Sequence, residues 1–578
     1  MAYMTKFFSM IKNLIISEIK FFFSPLNILV FAVGYYWSSN QSLSIVQTFL
    51  LFFHTYFFFK IEIWLLVTCC VILITGWNWV EQFFAKGENI SLKWNIFYLF
   101  FFGYWNLYEW DDYVAIQLAD FFFNMESYQT EHIASAINTL NKFFTFDSYC
   151  IVLRYWILAC VSSLFVVIPG KYIQKHFTWD TGLLVLLMTS FLTLIATSNN
   201  FFTFYVLLEG INLALIALIA LRRFNIWSLE AALKYFVLNG LINGLILFSL
   251  VLMYYQTNSL NFVDIKYYLI SNPNYNWAVV LFIIAFLFKL SVWPLHTWTP
   301  DVYEGAATWV LFYMALVIKS TLFALFIRFL FYTFFPVLDS LKPLLYTTGI
   351  GSIVIGTFGS LWQKSLKRFL AYSTITNSGL CLVTLIAYDS VSFFNIGIVF
   401  FHLFFYFITT FLTFAFYFQL IKNNSKRMYF FSDYFSFKYQ KSVMTNIFIF
   451  LFLNAIVMMA SLPPAITFYS KFMLLYCLMQ QNYYLTTLTI LLLNCLMSYY
   501  YLRLIKIFYF EDPKKEIYNV ILFSSESKPT YNIQDSNYKT TFGFLIMLII
   551  NFQWLLTYNI DAFIFMFVKY AKLSFAYL

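Results

Sequence analysis

A recurring length constrains this chain more than any single residue does. Apolar runs of about 20 residues, the span of a membrane-crossing helix, succeed one another from residue 148 almost to the last residue. They cover 148–170, 181–198, 201–221, 231–255, 277–297, 307–332, 343–361, 369–388, 392–420, 443–475, 483–508 and 540–568. The runs are continuous and do not alternate apolar with polar residues, so helices are expected and not the strands of a barrel. Further candidates at 24–37, 43–59, 62–80 and 95–106 precede them, and two to four of these are expected to cross. Only 11% of the residues are charged, against about a quarter in a soluble domain. The fold class implied is an all-α polytopic membrane protein.

Two polar stretches, 107–145 and 511–539, read as extramembrane insertions. They divide the chain into a divergent N-terminal region (1–145), a core (146–510), a polar loop (511–539) and a C-terminal span (540–578). Positive charge alternates between loops. One side holds Lys171, Lys175, Arg222, Arg223, the stretches "QKSLKR" (363–368) and "IKNNSKR" (421–427), and the basic residues of 502–515. The intervening loops hold only Lys266 and Lys342. The basic side faces a bacterial cytoplasm or a mitochondrial matrix, and 298–305 falls there as a polar turn. The net charge of +9 thus reflects topology and calls for no nucleic acid. The amphipathic start lacks a secretory leader's pattern and is expected to stay in the mature chain. The seven cysteines form no CxxC pair, so they read as buried small side chains and not as a metal or haem site. "GIGSIVIGTFGS" (349–360) lies inside a span with no strand before it, so close helix packing is expected there, not a dinucleotide.

Ionisable residues within spans cost about 2.5–3.5 kcal/mol even on insertion scales, which makes each a functional candidate. Glu209, Lys289, Lys319 and Lys471 are the four at depth. One lysine alone is as easily a side chain snorkelling from a helix end, but Lys319 sits at least twelve residues from either end of its run and the four occur together. Burial favours a lysine's neutral form and a nearby carboxylate its charged form, so such a row can pass protons. Glu230 and Lys234 stand one helical turn apart, as an ion pair or as part of that row. Pro294 follows Lys289, and Pro463–Pro464 precede Lys471. Such prolines break helices and expose backbone near charges, as in transporters, or merely kink them. His296 could relay protons two turns beyond Lys289 if the helix continued, and His402 is a weaker candidate of the same kind.

"FKLSVWPLHTWTPDVYEG" (288–305), "ATSNNFFTFYVLLEGINLALIALIALRR", "SLEAALKYFVLNG", "QKSLKRFLAYSTI" and "SLPPAITFYSKF" stand together in this one chain. Over about 146 to 510 this resembles the antiporter-like membrane subunits of respiratory complex I, the proton-pumping NADH:ubiquinone oxidoreductase, and "PDVYEG" favours their subunit 2 branch. The resemblance implies about 14 transmembrane helices, with two inverted five-helix repeats, each with a broken helix. It implies that Glu209 and Lys289 form a switching pair, that Lys319 passes protons along a polar axis, and that Lys471 leads toward the next subunit. Lys234 and His296 fall on the same polar network. It also implies that the chain binds no cofactor itself, with NADH, FMN, iron–sulfur clusters and ubiquinone in partner subunits. Partners would be the neighbouring antiporter-like subunit 4, the small quinone-side membrane subunits, lineage-specific accessory subunits and cardiolipin. With a composition rich in residues of AT-rich codons, the expected home is the inner membrane of a protist mitochondrion. Two departures stand out: Asn377 occupies a position where histidine is common, and "MASLPP" replaces "SLAGIPP". A stand-alone cation/proton antiporter shares the same physics, while retention of all four charges argues against a structural scaffold whose pump has decayed.

Overall fold

The computed structural model describes residues 142–145, 147–167, 179–222, 225–273, 276–387, 394–423, 443–463, 465–509, 564–569 and 571. Outside them lie the four N-terminal candidate spans, most of the two polar insertions, Lys171, Lys175, Arg223, the loop beyond Asn423, Pro464 and most of 540–568. Among the described residues the chain is helical, with no strand beyond two isolated bridges.

The first helices are α1 (Ser148–Val167), α2 (Trp179–Thr197), α3 (Phe201–Ile219), α4 (Ile226–Thr257) and the short α5 (Phe262–Ser271). They are followed by α6 (Trp277–Lys289), α7 (Trp298–Gly305), α8 (Thr308–Thr333), α9 (Leu338–Leu361) and α10 (Leu366–Ile386). The last are α11 (Phe394–Asn423), α12 (Val443–Met459), α13 (Ile466–Gln480) and α14 (Tyr484–Tyr509). Seven of the described helical segments are long and apolar enough to cross a membrane. Asparagines start two helices: Asn200 accepts from the Phe202 amide at 2.8 Å and Asn276 from the Ala278 amide at 3.0 Å, satisfying donors that a helix start leaves free. The most enclosed spans are α8 and α10, 89% and 94% buried, against 28% for α14, so α8 and α10 form the centre.

The runs 277–297 and 443–475 are not single helices, as the prolines allowed. Helix α6 stops at Lys289 and α12 at Met459, and two residues after each stop stands a serine with left-handed backbone, Ser291 (φ 57°) and Ser461 (φ 51°). Glycine normally takes this position, so periodicity alone does not reveal it. The freed carbonyls find partners: Leu287 accepts from the Val292 amide at 3.1 Å, and Phe288 from the Ser291 amide at 2.9 Å and the Trp298 indole at 3.1 Å. Unsatisfied backbone is not tolerated at membrane depth. The expected polar turn 298–305 is instead helix α7, whose one face carries Trp298, Val302 and Tyr303 into the core. The apolar side of this half-helix is what the reading of 298–305 as a loop overlooked. Of the cysteines, Cys150, Cys160, Cys381 and Cys477 are buried as expected, whereas Cys495 is exposed.

The glycine run does serve close packing, of α9 on α10 and on the break. Gly356 and Gly359 face Thr376 and Tyr372, Gly349 faces Val383, and Gly351 lies under the Trp293 ring. A methyl at Gly379 on the facing helix would sit 2.8 Å from the Gly349 carbonyl oxygen, a backbone atom that cannot turn away. By contrast, Gly240 on α4 has nothing within 4 Å of an added Cβ. Gly379→Ala should therefore destabilise the purified chain in detergent by about 1–3 kcal/mol, read as a lowered unfolding midpoint. Gly240→Ala should leave that midpoint unchanged or raise it, since alanine is the better helix former.

Candidate functional site

Lys289 is the last residue of α6 and is 6% exposed. Its ammonium donates to the amide oxygens of Asn212 (3.3 Å), Asn243 (2.7 Å) and Asn239. Asn239 and Asn243 are one turn apart on α4, and Asn212 comes from α3. The three carbonyl dipoles, with the negative end of the α6 half-helix, replace the water a buried cation has lost. The expected Glu209–Lys289 pair is not a direct one: no ion pair joins them among the described residues. Glu209 is half-buried on α3, within Coulombic reach of Lys289, Tyr205 and Tyr235. Asn212, three residues along the same face of α3, makes the contact in its place.

Lys319 follows a π-helical segment, Met314–Ile318, and its own amide reaches back five residues to the Met314 carbonyl. Such wide turns shift the register of the residues beyond them and recur at functional sites. The Lys319 ammonium donates to Ser291 Oγ at 2.7 Å, so the break that ends α6 supplies the partner for the next lysine. Lys289, Ser291, Lys319 and Asn212 line one cavity with Tyr235 and Tyr303; the room open to water centres is about 30 Å³. That suits roughly two waters, and the Asn212 amide nitrogen has no protein partner there. Lys319 also lines a second cavity of the same size, with Thr374, Asn377, Ser378, His402 and Tyr406. Lys471, on α13, is 8% exposed with Met497 Sδ at 3.9 Å, and its neighbour Ser470 is bonded to His402 on α11.

The two remaining candidates stand apart from these cavities. Lys234 is 43% exposed and pairs with Glu230 at 2.8 Å and with Asp301 at 3.0 Å. Arg368 extends the group, bonding Asp301 at 3.0 Å and Glu304 at 2.5 Å. Lys367 donates to the carbonyls of Glu304 (3.2 Å) and Ala306 (2.6 Å), a cation on the carbonyl end of α7. The "PDVYEG" acids thus fasten α7 to α4 and α10 on the basic side. His296 does not lie two turns along a helix from Lys289, because the helix has ended; its Nδ1 is 3.2 Å from the Pro294 carbonyl. Sequence reasoning missed Asn212, Asn239, Asn243 and Ser291. The signal for two of them was present, asparagines four apart inside an otherwise apolar span. It also missed Arg328, which is buried in α8 and holds the Ala196 carbonyl at 2.9 Å and Asp147 at 3.3 Å.

Asn239→Leu should destabilise the purified chain by about 1–3 kcal/mol, because it leaves a buried cation short of an acceptor. In the Lys289→Met background the same change should cost much less. Thermal unfolding of the four-member cycle should then show a coupling of about 0.5–3 kcal/mol, and additive losses would mean that the contact contributes nothing.

Comparison with known proteins places this geometry. Residues 198–497, just over half of the chain, match the family model "NADH:quinone oxidoreductase/Mrp antiporter, TM". The NADH-quinone oxidoreductase subunit N of Cupriavidus taiwanensis is 31% identical over 379 residues, covering 62% of this chain and 74% of that protein. The subunit N of Pelagibacter ubique is 31% identical over 369 residues, with coverage of 63% and 76%. In fold, the chain is similar to one from respiratory complex I of Thermus thermophilus with bound Aureothin (TM-score 0.54, 23% identity, 78% of this chain and 91% of that chain). It is also similar to one from an archaeal membrane-bound sulfane sulfur reductase (TM-score 0.63, 15% identity, 89% and 96%). The chain belongs to the NADH:quinone oxidoreductase/Mrp antiporter transmembrane family, and its relatives in Cupriavidus and Pelagibacter are subunit N of NADH-quinone oxidoreductases.

Proposed function

We propose that this chain is the proton-translocating, non-redox membrane subunit of an NADH:ubiquinone oxidoreductase, the subunit 2 position of complex I. The observation that carries the reading is the join between the charges. Lys289 and Lys319 line one cavity, Lys319 bonds Ser291 two residues beyond Lys289, and Lys319 opens on a second cavity that reaches His402. The fold in this reading has about 14 transmembrane helices in two inverted repeats. The paired breaks at Ser291 and Ser461 support the repeats. The region 146–510 is the working core, and 1–145 and 540–578 add the remaining spans. The membrane is the mitochondrial inner membrane, with the cluster around Lys234 on the matrix side. Partners are the subunit 4 neighbour, the small quinone-side membrane subunits, accessory subunits and cardiolipin; NADH, FMN, iron–sulfur clusters and ubiquinone belong to partner chains.

In operation, Glu209 sets the charge of Lys289 by field and not by contact. When its carboxylate is exposed to Lys289 the ammonium is favoured; when a cation elsewhere neutralises Glu209, that support is withdrawn. Lys289 and Lys319 share one cavity, so a proton on one disfavours a proton on the other, and arrival at the first drives departure from the second. Lys319 passes the charge to the second cavity, and Lys471 delivers it toward the adjoining subunit. Lys234, paired to α7, and His296, within the break, are the members of the polar network that stand outside the two cavities.

Lys289→Met and Glu209→Gln should each depress proton pumping and coupled NADH oxidation several-fold in an assembled complex, measured in sealed membrane vesicles. Normal pumping in both variants contradicts the reading. A chain that purifies alone and exchanges cations for protons in vesicles would instead be a stand-alone antiporter.

A further inference from the structure

We infer that the adjoining basic ends of α9 and α14 bind an anionic phospholipid, its phosphate on Arg503 and Lys364 and an acyl chain along the outer face of α14. The inference rests on the membrane orientation of the reading above and not on its proton path. Helix α14 is the least enclosed of the described membrane-length helices, 28% buried. Its open face carries Leu488, Leu492, Tyr499 and Leu502, all exposed, and ends at the exposed Arg503. On α9, Phe358 and Trp362 stand one turn apart and are 49% and 83% exposed. Arg503 Nη1 donates to the Leu361 carbonyl at 2.9 Å, so the two helix ends meet, with Trp362 and the exposed Lys364 just beyond that carbonyl.

The protein does not balance the charge placed here. Elsewhere on the basic side, Lys234 is matched by Glu230 and Asp301, and Arg368 by Asp301 and Glu304. Lys367 is engaged by the carbonyls of Glu304 and Ala306. Among the described residues no carboxylate forms an ion pair with Arg503 or Lys364. A guanidinium has five N–H donors, and Leu361 takes one of those on Arg503. The others suit the two non-bridging oxygens of a phosphodiester, which arginine binds as a fork. Lys364 adds a second cation. A zwitterionic headgroup would bring its own ammonium toward these cations, whereas an anionic one brings none, so the net charge selects the anionic lipid.

The order of groups along α14 is also that of a lipid. From Leu492 to Arg503 the helix rises about 16 Å, the depth of one leaflet of a hydrocarbon core about 30 Å thick. Leucines occupy the deep end, Tyr499 and Trp362 the interface where such rings collect, and the cations the surface. A protein partner would have to bring its own acids to this spot. The leaflet on the basic side supplies anions over its whole area.

The test uses the intact complex in nanodiscs with a trace of phosphatidylglycerol carrying a diazirine in its acyl chain, or the same probe built on phosphatidylcholine. After photolysis, mass spectrometry locates the adducts. The anionic probe should label Phe358, Leu492 and Tyr499 several-fold more than the zwitterionic one. Lys364→Gln combined with Arg503→Gln should bring the two probes level. Because Arg503 also holds the end of α9, that double variant can fail to assemble; Lys364→Gln alone then decides, a lowered preference supporting the site and an unchanged one overturning it. Equal labelling of the unaltered complex by both probes overturns the inference, since the face is then plain bilayer contact. So does a preference that survives the double substitution, or no labelling by either probe, which marks a face covered by protein. Coupled NADH oxidation in the same nanodiscs keeps the levels apart. An active complex with equal labelling removes the lipid site alone. An assembly that prefers the anionic probe but does not oxidise NADH with ubiquinone removes the reading above and leaves the site standing.

Discussion

A cation held at membrane depth needs dipoles to replace its water, and the arrangement around Lys289 depends on that requirement. Three asparagine oxygens from two helices converge on one ammonium at the end of a half-helix. Asparagine suits the role because its carbonyl stabilises the charge without fixing it. A carboxylate in direct contact would hold the proton more firmly. Glu209 stands off, in Coulombic reach and out of contact, where a change in its own charge can still be felt. The α3–α4–α6 packing thus gives the cation its acceptors from Asn212, Asn239 and Asn243 and leaves the carboxylate out of contact.

The break that ends α6 does two things at once. It leaves Lys289 at a helix terminus, and it turns Ser291 to receive Lys319. The second half of the broken element, α7, is held independently, by Asp301 and Glu304 to Lys234 and Arg368 and by Lys367 on its last carbonyls. These pairs are partly exposed, so each contributes little alone. Their effect is positional, fixing Trp298 and Tyr303 against the first cavity. The "PDVYEG" segment thus carries the two acids that hold α7 beside the first cavity.

Much of this was legible in the residues alone, and the illegible part has a physical cause. Continuous apolar length gave the helices, and the glycines of 349–360 gave the tight α9–α10 contact. The depth of Lys289, Lys319 and Lys471 could be read because a charge in an apolar run needs a reason. What periodicity cannot show is where a helix stops when serine takes the left-handed position of glycine, as at Ser291 and Ser461. Nor can it show which uncharged side chains turn toward a cation. Asn239 and Asn243 carry no charge to attract notice, and Asn212 hides beside the more conspicuous Glu209. The two-turn spacing of His296 from Lys289 depended on the helix continuing, and the helix ends at Lys289.

Proton passage along this row requires that the two cavities on either side of Lys319 are wet and continuous with its neighbours. A high-resolution density map of the assembled complex tests that requirement most directly. The expected result is ordered water between Lys289 and Lys319, bonded to the Asn212 amide nitrogen, and further water between Lys319 and His402 Nε2. Dry cavities, closed by repacked side chains or filled by a lipid chain in every state of the complex, would contradict it.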